Sequence, residues 1–206
     1  MEMTEMNKGI LFIISGPAGS GKGTVVRELI SSHSDIKLSV SATTRSPRPG
    51  EENGVHYHFI TKDEFERRIK NGEILEYTTY CENYYGTPLK EVNEALERGN
   101  DIILEIEVDG AMQVKKKIEN SVTIMLTPPD SVTLENRLRS RGTETDEVIK
   151  WRLERAKEEI RLLPDYDYSV INEDGMSDKC AEQIYGIICA EHKRTLHTRD
   201  IIKKFI

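Results

Sequence analysis

A short glycine-rich segment near the amino terminus has the composition of a phosphate-binding loop. It reads Gly-Pro-Ala-Gly-Ser-Gly-Lys over residues 16–22 and matches the spacing G-x-x-x-x-G-K. Glycines let the backbone wrap closely around an anion, so that several N–H groups point inward. A lysine at the end of such a loop reaches the β- and γ-phosphates of a nucleoside triphosphate. The segment therefore predicts a triphosphate site.

The residues on either side of the loop are those that the motif requires. Residues 9–15 form a short apolar run, and Val25, Val26, Leu29 and Ile30 follow at helical spacing. This order predicts a strand, the loop and a helix whose N-terminus adds partial positive charge. The predicted triphosphate contacts are Gly16, Pro17, Ala18, Gly19, Ser20, Gly21, Lys22, Gly23 and Thr24.

One position departs from the usual loop. The motif calls for Ser or Thr directly after the lysine, whereas here Gly23 follows Lys22 and the hydroxyl arrives on Thr24. This GKGT variant resembles nucleoside monophosphate kinases more than GTPases or motor ATPases. Mg²⁺ would then be held mainly by phosphates and water, which suits an ion that keeps most of its water shell.

Two arginines lie three residues apart in a stiff polar loop. Arg45 and Arg48 alternate with Pro47 and Pro49, which forbid a helix here. Taken alone, they are most simply surface arginines. Two planar guanidinium groups on a stiff loop also suit bidentate capture of a phosphate.

The segments that follow decide between these interpretations. SATTRSPRPGE at 41–51 is followed by YHF at 57–59, ILEY at 74–77 and NYYGT at 83–87. In this order and spacing they resemble the GMP-binding lobe of guanylate kinases, and the resemblance runs from the phosphate loop to Asn172. It implies transfer of the γ-phosphate of ATP to GMP, with Mg²⁺ as cofactor. Use of dGMP is left open.

The resemblance divides the acceptor residues into two groups. The GMP phosphate would be held by Arg45, Arg48, Tyr57 and Tyr85. The guanine would be recognised by Ser41, Glu76, Thr87 and Glu105. The chemistry agrees, because guanine N1–H and N2–H₂ are donors that suit a carboxylate, and O6 accepts from hydroxyls. Adenine reverses this polarity and would leave buried groups unpaired.

The remaining roles come from the resemblance as well. The residues expected to act on the transferred phosphate are Lys22, Arg45, Arg137, Arg141 and Arg152. Asn172 would lie near the adenine, and Glu107 near Mg²⁺ through water, with no direct protein ligand. Asp109 stands where the family often has glutamine, and it receives no role. A solvated charged hairpin, with a capping box at Thr143–Asp146, is the structural alternative for the arginine-rich segment.

Alternating strands and helices predict an α/β fold. Apolar runs at 102–106, 122–126 and 168–171 are separated by amphipathic stretches, which favours a three-layer core around a parallel sheet. We expect one guanylate-kinase-like domain at 8–190, with a disordered tail at 1–7. Its expected parts are a core at 8–40, 90–130 and 162–206, a GMP-binding lobe with a mixed sheet at 41–89, and a helical lid at 131–161.

Composition excludes several other classes of protein. The net charge of −7 argues against a nucleic-acid polymer as partner, and Cys81, Cys180 and Cys189 form no disulfide framework. No segment has the length of a membrane span, so we expect a cytoplasmic protein that acts on small molecules. Oligomeric state is open. Two rivals remain: an adenylate kinase, which shares GKGT, and a scaffold-type binding module with the same fold.

Overall fold

Five parallel strands form the central sheet. In this computed structural model, which describes residues 8–140, 142 and 145–195, they are β1 Leu11–Ser15, β2 Ile36–Leu38, β7 Asp101–Glu105, β8 Val122–Thr127 and β9 Tyr168–Ile171. Their order is β2-β7-β1-β8-β9, and every neighbouring pair is parallel. The predicted parallel sheet of an α/β fold is confirmed.

Helices cover both faces of this sheet. Phe12 and Ile14 of β1 point to one face and Leu11 and Ile13 to the other, as the two-residue period of a strand requires. Apolar residues of α1 (Lys22–Ser32) and α7 (Ser177–Glu191) pack on the first face. Those of α3 (Leu89–Glu97) and α4 (Val108–Lys117) pack on the second. The result is the predicted three-layer core.

A second, smaller sheet belongs to the segment between β2 and α3. Its strands are β3 Ala42–Thr43, β4 His58–Phe59, β5 Ile74–Tyr80 and β6 Asn83–Pro88. The order is β4-β3-β6-β5, with one parallel and two antiparallel pairs, so the predicted mixed sheet is confirmed. The sequence analysis missed helix α2 (Lys62–Lys70), which begins after the N-cap Thr61 and buries Phe65 against this sheet.

Two helices form a hairpin after β8, as predicted. They are α5 (Ser131–Ser140) and α6 (Asp146–Ile160), and a 3₁₀ helix follows at Leu163–Asp165. The hairpin has a small apolar cluster of its own, formed by Leu134, Leu138, Ile149 and Ala156. The predictions for the tail at 1–7, for Arg141 and for the chain beyond residue 195 lie outside the described residues. Within the described part of the chain, no helix is both long and apolar enough to cross a membrane.

Candidate active site

The glycine-rich loop lies at the carboxyl end of β1, in the middle of the sheet, where α/β folds bind ligands. Gly16 passes so close to β8 that a Cβ atom would lie 2.1 Å from the carbonyl oxygen of Leu126. Gly21 caps α1 with φ +93°, a left-handed conformation that side chains rarely adopt, and a Cβ there would lie 2.3 Å from Asn172 Nδ2. The sequence therefore fixes a tight turn that presents backbone N–H groups.

Lys22 begins helix α1 and is mostly buried. Its Nζ donates to the carbonyl oxygen of Gly16 at 2.5 Å and lies 3.8 Å from Oε1 of Glu107, a residue that directly precedes α4. Lys22 thus spans the loop toward an exposed carboxylate. A cation and an acidic group at the mouth of the loop are suited to triphosphate chemistry.

Asn172 supports the loop from behind. Its Nδ2 donates to the carbonyl oxygen of Ser20 at 2.8 Å, and its side chain is buried. Arg137 of α5 donates to the carbonyl oxygens of Ser20 and Asn172 and pairs with Asp174 at 2.6 Å. The predicted ATP residues 16–24 and Asn172 are therefore brought together.

Glu76 and Thr87 form a buried pair in the smaller sheet. Thr87 Oγ1 donates to Glu76 Oε1 at 2.7 Å, across the antiparallel strands β5 and β6. Burial raises the pKa of Glu76, and the hydrogen bond from Thr87 and the charge of Lys117 oppose that rise. A buried carboxylate beside a hydroxyl can recognise a ligand edge that offers both donors and an acceptor.

Arg45, Tyr57 and Tyr85 form a second group in the same lobe. The Arg45 guanidinium lies 5.3 Å from the centre of the Tyr57 ring, and the rings of Tyr57 and Tyr85 are 6.0 Å apart. Glu51 accepts hydrogen bonds from Nη1 and Nη2 of Arg45 at 2.7 and 2.9 Å, and from the N–H of Arg48. The hydrogen bond from Arg45 lowers the pKa of Glu51 to about 2. Arg48 itself is exposed.

A cleft of about 360 Å³ runs between the loop and the smaller sheet. Seven predicted residues line it together with Ala18 of the loop: Ser41, Tyr57, Glu76, Tyr85, Glu105, Glu107 and Arg152. Burial raises the pKa of Glu105, and the charge of Lys22 opposes that rise. One cleft is therefore lined by a residue of the loop and by three of the four predicted base-recognition residues, whereas Thr87 is fully buried beside Glu76.

Comparison with known proteins agrees with this geometry. The family model described as guanylate kinase matches residues 8–190. The chain is 52% identical to a guanylate kinase of Lactococcus lactis subsp. lactis over 91% of this chain and 90% of that one. It is 48% identical to a guanylate kinase of Latilactobacillus sakei subsp. sakei over 97% and 98% of the two chains. A crystal structure of guanylate kinase from Anaplasma phagocytophilum superposes with a TM-score of 0.73, at 33% identity, over 92% and 89%.

The chain belongs to the guanylate kinase family. It is an ATP-using enzyme whose reaction converts ATP and GMP into ADP and GDP. In this guanylate kinase, the cleft is lined by Ala18 of the glycine-rich loop and by residues of the smaller sheet.

The predicted arginines of the hairpin differ in position. Arg152 lines the cleft, and its Nη2 donates to Tyr80 Oη at 3.2 Å. Arg137 contacts the carbonyl oxygen of Ser20 and pairs with Asp174, and it is not among the described residues that line the cleft. Arg141 lies outside the described residues.

Sequence reasoning missed several residues of the cleft. Arg155, to which the sequence analysis gave no role, lines the cleft and bridges Asp109 at 3.3 Å and Glu159 at 2.8 Å. Tyr80 and Trp151 line it as well. Helical spacing from Arg152 was the signal for Arg155, because residues three apart share a helix face. Nothing in the sequence pointed to Tyr80.

Proposed function

We propose that the glycine-rich loop holds the triphosphate of ATP while the smaller sheet holds GMP, with the two phosphates facing each other across the cleft. The observation that carries this division is the buried Glu76, which accepts from Thr87 and lines the same cleft as Ala18 of the loop. A buried carboxylate with a neighbouring hydroxyl has no role in binding phosphate. It suits a base that presents N–H donors and a carbonyl.

Guanine would donate N1–H and N2–H₂ to Glu76 and accept at O6 from Ser41. Thr87, whose hydroxyl proton goes to Glu76, would orient that carboxylate toward the base. Glu105 assists from the end of β7, because its carboxylate lies on the same cleft. Adenine would bring an acceptor and a single amino group to these positions. The cost of an unpaired buried polar group is about 1–3 kcal/mol, enough for strong selectivity.

The GMP phosphate would bind between Arg45, Arg48, Tyr57 and Tyr85. The geometry of Arg45 supports this role, since its guanidinium already binds a carboxylate through both Nη atoms. A phosphate offers the same paired oxygens to a planar guanidinium. The acceptor oxygen of GMP is ionised near neutral pH, so the transfer needs no general base.

The residues beside the loop fit a magnesium ion held chiefly by phosphates and water. Glu107 offers one exposed carboxylate beside Lys22, and no three His, Cys, Asp or Glu side chains of the described residues converge on a metal position. Glu107 would lie near the ion through water, and the chemistry that the ion would supply there is neutralisation of phosphate charge. Lys22 would neutralise the donor phosphates, and the loop N–H groups would orient them.

We also propose that the chain works as three parts. The core comprises 8–40, 90–130 and 162–206, the GMP-binding lobe 41–89 and the lid 131–161. The contact between Arg152 of α6 and Tyr80 of β5 supports a lid that meets the lobe over the cleft. Arg137, Arg141 and Arg152 would neutralise charge on the transferred phosphate, and closure would exclude water.

An acceptor panel tests the proposal. ADP release from ATP and Mg²⁺ is measured with GMP, dGMP, AMP, CMP, UMP and dTMP for the unaltered protein, Lys22→Ala and Lys116→Ala. We expect turnover with guanine acceptors only. The Lys22→Ala variant should lose about 10³-fold in kcat, because one phosphate-stabilising group is removed. Lys116, exposed on α4, is the matched control and should change nothing. Turnover with AMP, or normal kcat for Lys22→Ala, would refute the proposal.

A further inference from the structure

One face of helix α4 runs along the strand that carries Glu76. Gly110, Gln113 and Lys117 are three and four residues apart, so they share that face. The Gln113 side chain donates from Nε2 to the carbonyl oxygen of Tyr77 at 3.1 Å and accepts at Oε1 from its N–H at 3.4 Å. Lys117 Nζ donates to the carbonyl oxygen of Leu75. Helix α4 therefore forms hydrogen bonds with the β5 backbone on both sides of Glu76.

Strand β5 needs such partners because it lies at the edge of its sheet. An edge strand presents N–H and C=O groups that no neighbouring strand satisfies. Gln113 satisfies both groups of Tyr77 with a side-chain amide, much as a neighbouring strand would. The position of Glu76 is thus set by the core helix as well as by its own sheet.

Gly110 is where the Glu76 carboxylate meets the helix. A Cβ atom on Gly110 would lie 2.6 Å from Glu76 Oε2 and 3.3 Å from Glu76 Cδ. The other oxygen, Oε1, accepts from Thr87 at 2.7 Å. The carboxylate is therefore confined on one side by a hydroxyl donor and on the other by helix backbone that lacks a side chain. Glycine is otherwise one of the least favourable residues in a helix.

We propose that Gly110 is a positioning residue for guanine recognition, which acts solely by leaving room for the Glu76 carboxylate against α4. This rests on the proposed role of Glu76 as the acceptor for guanine N–H groups. The first turn of α4 then serves both substrates. Glu107, just before the helix, lies beside Lys22 at the phosphate loop, and Gly110 lies beside the base-recognition carboxylate.

A methyl group added at residue 110 should weaken guanine recognition while changing the stability of the fold little. The atom it would displace is the end of a flexible side chain, which rotates away without moving the backbone. Alanine also favours the helix over glycine, which offsets the Thr87 hydrogen bond that the displaced carboxylate loses. The displaced carboxylate, however, no longer meets guanine N1–H and N2–H₂. The affinity for GMP should therefore fall, while the affinity for ATP stays unchanged.

The experiment compares Gly110→Ala with Gly186→Ala, Glu76→Ala and the Gly110→Ala/Glu76→Ala double variant. Gly186 is the matched control, because it lies in helix α7 and a Cβ there meets nothing within 4 Å. For each protein we measure KM for GMP, KM for ATP, kcat and Tm. We also measure the ratio of kcat/KM for GMP to that for inosine monophosphate, whose base lacks the 2-amino group.

We expect Gly110→Ala to raise KM for GMP by about tenfold to 100-fold, the effect of leaving buried polar groups unpaired. The preference for GMP over inosine monophosphate should fall, while KM for ATP and Tm stay within error or Tm rises. In the Glu76→Ala background the same substitution should add nothing, since no carboxylate remains to be displaced.

Two results would overturn the inference. One is a normal KM for GMP in Gly110→Ala when Glu76→Ala alone has raised it. The other is an equal additional loss from Gly110→Ala in the Glu76→Ala background, which would mean that Gly110 acts by another route. If Glu76→Ala itself left KM for GMP unchanged, the proposed role of Glu76 would fail first. The measurements therefore separate the two failures.

Discussion

The residues of the phosphate loop and those of the smaller sheet are held in position in different ways. The loop is backbone pressed against the main core, with Gly16 against β8 and Gly21 against Asn172. The smaller sheet has strands of two residues, β3 and β4, and a minor apolar cluster around Phe65. Its binding groups are side chains oriented by other side chains. Changes in the loop should therefore alter turnover, and changes in the sheet should alter acceptor binding.

The largest expected effect on acceptor binding comes from Arg45→Ala. Removing the guanidinium takes away the proposed phosphate ligand and also leaves Glu51 without the two hydrogen bonds that it accepts from Arg45. We expect kcat/KM for GMP to fall by about 10²–10³-fold, with KM for ATP unchanged. Steady-state kinetics with each substrate varied in turn measures both.

Arg68→Ala is the matched control for this prediction. Arg68 lies in helix α2 of the same lobe and pairs with Glu64 at 2.7 Å, away from the cleft. It should leave both Michaelis constants unchanged. If KM for ATP rose as much as KM for GMP in Arg45→Ala, the two regions would not act independently and the comparison would fail.

The phosphate loop and the smaller sheet also differ in how far each could be predicted from the sequence. The loop is a contiguous motif between a strand and a helix, so its position and geometry could be predicted from neighbouring residues alone. The parallel sheet followed from apolar runs. The mixed sheet and its candidate binding residues were predicted through family resemblance, because Glu76 carries no local signal and Arg45, taken alone, is most simply a surface arginine.

Contacts between distant segments could not be predicted. Glu51 pairing with Arg45, Gln113 with the backbone of Tyr77, and Arg155 with Asp109 all depend on how separate elements meet. Helix α2 was missed because Pro, Gly and Tyr dominate the surrounding segment, while its own evidence is a single N-cap and Glu–Arg pairs. The phosphate-contact role of Arg137 stays a prediction.

A pH titration tests the difference between two carboxylates of the lobe, Glu76 and Glu51. Burial raises the pKa of Glu76, whereas the Arg45 hydrogen bond keeps the pKa of Glu51 at about 2. Guanine N–H groups need the ionised Glu76. As pH falls through its raised pKa, a bound proton must be expelled before GMP can bind, so KM for GMP should rise by about tenfold per pH unit. The folded state shows the opposite trend: the raised pKa contributes stability at low pH, and this is lost as pH rises.

Glu76→Gln separates this effect from titration of GMP itself, whose phosphate loses its second proton near pH ~6. The variant keeps the size of the side chain and removes its ionisation. The ratio of KM values for the two proteins, measured from about pH 5 to about pH 8, should change only through Glu76. A constant ratio across that range would show that Glu76 does not titrate where GMP binding is affected.

The smallest expected effects come from removing a helix N-cap, and they test whether the lobe is stabilised separately from the core. Thr61 caps α2 by accepting from the N–H of Glu64 at 3.2 Å, and Thr145 caps α6 by accepting from the N–H of Val148 at 3.4 Å. Each Thr→Ala change should cost about 1 kcal/mol, with kcat nearly unchanged. Amide hydrogen exchange should accelerate in the smaller sheet for Thr61→Ala and in the helical hairpin for Thr145→Ala, since local opening follows local stability. Acceleration that spread equally to β1 and β8 in Thr61→Ala would mean that the lobe and the core unfold as one unit, and that the acceptor site shares the stability of the loop.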